Sequence, residues 1–118
     1  AASDVYKRQR FKYALQGGLT LLRKDRNFLY HLILAVLIII FGSFLSLNRI
    51  EWILIILAIF LVLITEAINT AIEYAVDLTT GSFHIFAKNA KDISAFSVLL
   101  ASIFAIIIGC MIFIPKLI

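Results

Sequence analysis

A chain of 118 residues that is 63% hydrophobic, with a net charge of +4, is well above the roughly half-apolar content of soluble domains. Its mean hydropathy of +1.04 marks an integral membrane protein, and within this length there is no room for a separate soluble catalytic domain. The basic residues cluster beside apolar spans, which points to anionic lipid headgroups and away from nucleic acid. The single Cys110 excludes an intrachain disulfide frame or a thiolate metal site.

Residues 1–9 lack apolar periodicity and read as a non-native or disordered leader, leaving 10–118 as a single membrane-embedded domain. Over 10–24, Phe11, Ala14, Leu15, Leu19 and Leu22 recur at three- and four-residue spacing. The pattern predicts an amphipathic helix on the membrane surface, bent or closely approached at Gly17-Gly18. A charged turn, Arg23 to Asn27, leads into the first span, about 29–48. Asn48 to Trp52 forms a short polar hairpin before the second span, about 52–78. At 1.5 Å per residue that span is roughly 39 Å long, more than the ~30 Å hydrocarbon core, so one end must reach the surface. Thr79 to Ser82 breaks the helix, Phe83 to Asp92 reads as a polar loop, and the third span covers about 92–114, closed by Pro115-Lys116.

Seven of the eleven Lys and Arg precede the first span, and Lys88 and Lys91 lie in the second loop. The positive-inside rule then puts the N-terminus and the 79–92 loop on the cytoplasmic side of a bacterial plasma membrane. Asp25, the end of the second span and Lys91-Asp92 all meet that face.

The second span changes character along its length. After an uncharged run from Ile53 to Ile64 come Glu66, Asn69, Thr70, Glu73 and Asp77, at i, i+3, i+4, i+7 and i+11 on one helical stripe. A carboxylate at the bilayer centre costs about 2.5–3.5 kcal/mol on insertion scales, so acids in such a segment point to function. Glu66 is the deepest acid, about 16 Å from Asp77 along the helix, and suits a general base acting on an alcohol. Glu73 and Asp25 offer hard oxygen ligands of the kind Mg²⁺ takes alongside phosphate. Asp25 reads equally as a solvated acid between cations. Asn69 reads as a partner of Glu66 or as helix–helix glue, and Thr70 as a bond to its own backbone. Lys91 suits a phosphate clamp and Asp92 a helix N-cap. His84 alone reads as a surface histidine, and Tyr13 and Trp52 as interfacial anchors. There is no phosphate-binding Gly-rich loop and no dinucleotide fingerprint. Acids, an amide and a lysine at one membrane face match the minimum parts of phosphoryl transfer.

Glu66-Ala-Ile-Asn69-Thr70-Ala-Ile-Glu73, then Val76-Asp77, then Ala87-Lys88-Asn89-Ala90-Lys91-Asp92, resembles the signature of the prokaryotic diacylglycerol kinase family. Asp25-Arg26-Asn27-Phe28, Ile50-Glu51-Trp52 and Phe113-Ile114-Pro115-Lys116 are more similar to its Gram-positive branch, the undecaprenol kinases. The resemblance covers 10–118. It implies an all-α membrane fold: three transmembrane helices plus an N-terminal amphipathic surface helix, in a homotrimer with active sites between subunits. It further implies transfer of the γ-phosphate of MgATP to a membrane lipid alcohol, undecaprenol ahead of diacylglycerol. Glu66 matches the catalytic base and Asn69 its partner. Glu73 and Asp25 match the two metal ligands, and Tyr13, Asp25, Glu73, Ser82, Phe83, His84, Lys91 and Asp92 match nucleotide contacts. Trp52 joins Glu66 and Asn69 as an expected contact of the lipid substrate. Three departures stand out: Asp25 where the family often has Glu, Phe96 where relatives carry a small residue, and no clear match for an N-terminal Arg near the nucleotide. The competing readings are a small proton-coupled exporter using Glu66 and a non-catalytic membrane subunit. Neither explains phosphate and metal ligands gathered at one face.

Overall fold

A backbone in lipid has no water to bond, so long uncharged stretches must close their hydrogen bonds internally as helices. The computed structural model, which describes residues 1–79 and 81–118, contains four: α1 (Ala2–Lys24), α2 (Arg26–Ser43), α3 (Arg49–Thr79) and α4 (Ile85–Leu117). No strand occurs among the described residues. Helices α2, α3 and α4 are each long and apolar enough to cross a membrane, and α1 carries the N-terminal cations. Thr80, part of the expected helix break, lies outside the described residues.

Residue pairs far apart in sequence fix the packing. Asp25 meets Thr70, and Gly42 at the other end of α2 lies against Trp52, so α2 and α3 run antiparallel. Glu51 pairs with Lys116, Asn69 with Ser94 and Asp77 with Lys91, so α3 and α4 are antiparallel along nearly their whole lengths. Phe41 and Phe113, with ring centroids 5.4 Å apart, close α2 against α4 at the end remote from Asp25. Helix α3 is therefore the central element. Its span is 28% buried, against 11% for α2 and for α4. Small side chains, Ala35, Ala58 and Ala101, let the helices approach, with Ile55, Val62 and Ile112 filling between them. Large apolar residues remain exposed along all three spans, which suits a surface solvated by lipid or by further protein.

The helix boundaries differ from expectation in several places, each for a local reason. Residues 2–9 belong to α1 as helix, although all of them are exposed. Gly17-Gly18 neither breaks α1 nor admits a neighbour, because a Cβ at either position would meet open space. Helix α2 stops at Ser43 rather than near 48. Ser46 adopts a left-handed φ of 53°, and Asn48 is committed to α3: its Oδ1 accepts from Glu51 N while Glu51 Oε1 accepts from Asn48 N. This reciprocal cap starts α3 three residues earlier than its apolar run suggests.

The polar stretch expected as a loop is mostly helix. Helix α4 begins at Ile85, with His84 Nδ1 accepting from Phe86 N as its cap. Lys88 and Asp92 then pair across one turn. Asp92 is therefore not an N-cap, because the helix starts seven residues before it. Ala87, Lys88, Ala90 and Lys91 are all good helix formers, so polarity there did not mean irregular backbone. Pro115 lies inside the last turns of α4 rather than ending it.

Candidate active site

The stripe on α3 runs from the protein interior to its surface. Glu66 (4% exposed) and Asn69 (7%) are buried, Thr70 is half-buried, and Glu73 and Asp77 are exposed. With a 3.6-residue period, one face turned toward α2 and α4 collects all five side chains. Asn69 is held from two sides. Its Oδ1 accepts from the Ser94 hydroxyl at 2.7 Å, and its Nδ2 donates to Glu73 Oε1 at 3.3 Å.

Asp25 joins this stripe from outside α3. It sits at the break between α1 and α2, where its Oδ1 accepts from Phe28 N and caps α2. Its Oδ2 accepts from the Thr70 hydroxyl at 2.5 Å. Asp25 is thus a positioned, half-buried group and not a free surface acid, and Thr70 spends its hydroxyl on Asp25 instead of its own backbone.

Two clefts flank this arrangement. A small one of about 160 Å³ is lined by Lys24, Asp25, Thr70, Glu73, Tyr74 and Asp77. A larger one of about 500 Å³ lies between α2, α3 and α4 and is almost wholly apolar, with Ile55, Val62 and Phe113 among its walls. Of these two clefts, the smaller gathers three carboxylates and a lysine. The larger one has no carboxylate, lysine or arginine in its walls, and His31 and Ser102 are polar exceptions in an apolar lining.

Other expected site residues divide by position. Lys91 reaches across from α4 to Asp77 Oδ1, an ion pair at the mouth of the polar cleft. Asp92 lies on the exposed face of α4 with Lys88. Ser82, Phe83 and His84 form the exposed connection between α3 and α4 and do not line the polar cleft. Tyr13 is exposed on α1, also away from the cleft. Trp52 packs against Gly42, about 21 Å from Glu66 along α3, so one chain does not bring it to the stripe. Among the described residues no three His, Cys, Asp or Glu side chains close into a metal cage, so any ion here would share its shell with other oxygens.

Three residues of the site escaped the sequence reading. Lys24 and Tyr74 line the polar cleft, and Ser94 binds Asn69. For Ser94 a signal was present: it stands three residues after Lys91, on the same side of α4. A lone serine in an uncharged span is nonetheless easily taken for packing.

The sequence profile of prokaryotic diacylglycerol kinase matches residues 12–113, a range that includes every residue of the polar cleft. The chain belongs to the prokaryotic diacylglycerol kinase family. It is 41% identical over 107 residues to an undecaprenol kinase of Bacillus subtilis, covering 91% of this chain and 87% of that one. It is 43% identical over 108 residues to a diacylglycerol kinase of Synechocystis, covering 91% of this chain and 62% of that one. A diacylglycerol kinase of Escherichia coli is 34% identical over 76 residues, which is 64% of this chain and 62% of that one. The family is one of lipid kinases, so this multi-pass membrane protein is an enzyme, and the exporter and non-catalytic readings fall away.

Proposed function

We propose that the protein transfers the γ-phosphate of MgATP to the hydroxyl of a membrane lipid alcohol, undecaprenol ahead of diacylglycerol. The observation that carries this reading is the buried Glu66 beside Asn69, at the inner end of a stripe that opens into the polar cleft. A base for a lipid hydroxyl belongs at the depth where lipid headgroup and protein interior meet, and phosphate ligands belong nearer to water. The preference for undecaprenol rests on identity with the Bacillus relative over most of both chains.

Asp25 and Glu73 fit a divalent cation on the chemistry of their donors: both are carboxylates, both line the same cleft, and Thr70 holds one of them in place. They are the residues that would hold Mg²⁺, which when bound offsets the charge of the polyphosphate. Glu66 takes the hydroxyl proton, and Asn69 orients the lipid oxygen or the carboxylate of Glu66. Lys91 exchanges its Asp77 partner for a phosphate oxygen and steadies the transferring group. Tyr13, Ser82, Phe83, His84 and Asp92 complete the nucleotide site from positions that one chain leaves apart, and Trp52 contacts the lipid. A homotrimer with each site shared between subunits accounts for that separation. The charged ends at Asp25, Asp77 and Lys91 face the cytoplasm, where ATP is found.

The deciding experiment is phosphate transfer by the purified protein in lipid vesicles with undecaprenol or diacylglycerol as acceptor. Transfer to undecaprenol at the higher kcat/KM is expected. Preference for diacylglycerol would reverse the substrate assignment, and transfer to neither would overturn the reading.

A further inference from the structure

The hydrogen-bonding capacities of three side chains leave Asn69 one arrangement. An ionised Glu73 only accepts, so the group Asn69 turns toward it must be the amide N–H₂. Oδ1 then points the other way, into the interior, where the Ser94 hydroxyl donates to it at 2.7 Å. Ser94 is 5% exposed and is the hydroxyl that α4 contributes to this cluster. The chain of donation runs in one direction, from Ser94 on α4 through Asn69 to Glu73 at the cleft.

We infer that Ser94 is a positioning residue: through Asn69 it holds the Glu73 carboxylate in the orientation that meets the metal-bound nucleotide. The inference rests on Glu73 being a metal ligand. Ser94 itself is too deep to touch nucleotide. Glu73 is exposed and on its own would sample several rotamers, so a fixed amide one turn earlier removes freedom that metal binding would otherwise have to remove. Without the Ser94 donor, Oδ1 is left buried and unpaired, and the amide turns to find another donor, which takes its N–H₂ away from Glu73. Ser94 also ties α4 to the stripe on α3, so its role in the site and its role between helices must be separated by experiment.

The test is a double-mutant cycle on Ser94→Ala and Asn69→Ala, read by Mn²⁺ affinity in the presence of ATP and by KM for Mg²⁺ against kcat. Ser94→Ala is expected to lower Mn²⁺ affinity about two- to tenfold, the size of one lost hydrogen bond. Asn69→Ala should lower it as well, and Ser94→Ala should add nothing in that background. Additive losses, or an unchanged Mn²⁺ affinity in Ser94→Ala, would overturn the inference. Should Ser94→Ala alone fail to fold, the double variant, in which Oδ1 no longer needs a partner, is compared with Asn69→Ala. Equal affinities then support the inference and a further loss overturns it. Wild-type protein that binds no Mn²⁺ with ATP would overturn the metal assignment of Glu73 and the role of Ser94 with it. Wild-type binding with a silent Ser94→Ala would overturn the role of Ser94 alone.

Discussion

The Thr70 hydroxyl donates to Asp25 Oδ2 across 45 positions of sequence, and this bond fastens the start of α2 to the polar stripe of α3. The other Asp25 oxygen caps α2 through Phe28 N. One side chain thus sets a helix start, joins two helices and faces the cleft that holds Glu73. Replacing Thr70 with Val keeps the shape and removes the donor. The variant should lose about 1–3 kcal/mol of stability, the cost of leaving a charged acceptor short of one partner, measured by thermal or denaturant unfolding in detergent. Unchanged stability together with unchanged turnover would show that the bond neither holds the helices nor orders Asp25.

Asp25 itself can be tested for charge separately from capping. Asn is as good an N-cap as Asp: with its oxygen on Phe28 N, its amide N–H₂ faces the Thr70 hydroxyl, which turns to accept instead of donating. Asp25→Asn should therefore fold with near-normal stability and lose activity, most strongly at low Mg²⁺. Asp25→Glu keeps the charge with one more methylene and should retain turnover. Steady-state rates across a Mg²⁺ titration check both, and equal rates for wild type and the two variants would remove Asp25 from the metal site.

Glu66→Gln deletes the proposed base while keeping size and hydrogen-bonding reach. Turnover should fall by at least about 100-fold, within the range that general-base catalysis supplies. MgATP binding, measured by calorimetry, should survive, because Asp25 and Glu73 are untouched. Turnover close to wild type would sink the general-base role.

Glu73→Ala removes one anionic ligand and the acceptor for Asn69 Nδ2. The apparent KM for Mg²⁺ should rise, and excess Mg²⁺ should partly restore the rate. A Mg²⁺ dependence identical to wild type would instead make Glu73 a residue that only orders Asn69.

At the far end of the bundle, Glu51 combines the reciprocal cap with Asn48 and an ion pair to Lys116 at 3.2 Å. It lies about 22 Å from Glu66 along α3. Glu51→Ala should lower the unfolding midpoint and leave kcat and the KM for Mg²⁺ unchanged. Lost turnover in folded protein would mean that the remote end of α3 communicates with the cleft.

Much of this protein was legible because helix period and bilayer thickness are local rules. Three long, predominantly apolar stretches had to be helices, and spacing alone placed Glu66, Asn69, Thr70, Glu73 and Asp77 on one face. Local sequence did not decide where two permitted conformations competed. Residues 85–91 suit a polar loop or a helix, and the His84 cap with the Lys88–Asp92 pair selected the helix. Residues 44–48 could have extended α2, but Asn48 and Glu51 claimed the chain for α3. The partners of the stripe were decided only by tertiary structure. Thr70 on Asp25, Ser94 on Asn69 and Lys91 on Asp77 each join different helices, and no periodicity within one helix specifies which residue of another will face it. Side-chain types along α3 determined that a polar face exists. The antiparallel register of α2 and α4 against it determined which groups are buried, which are paired, and which are left facing the cleft.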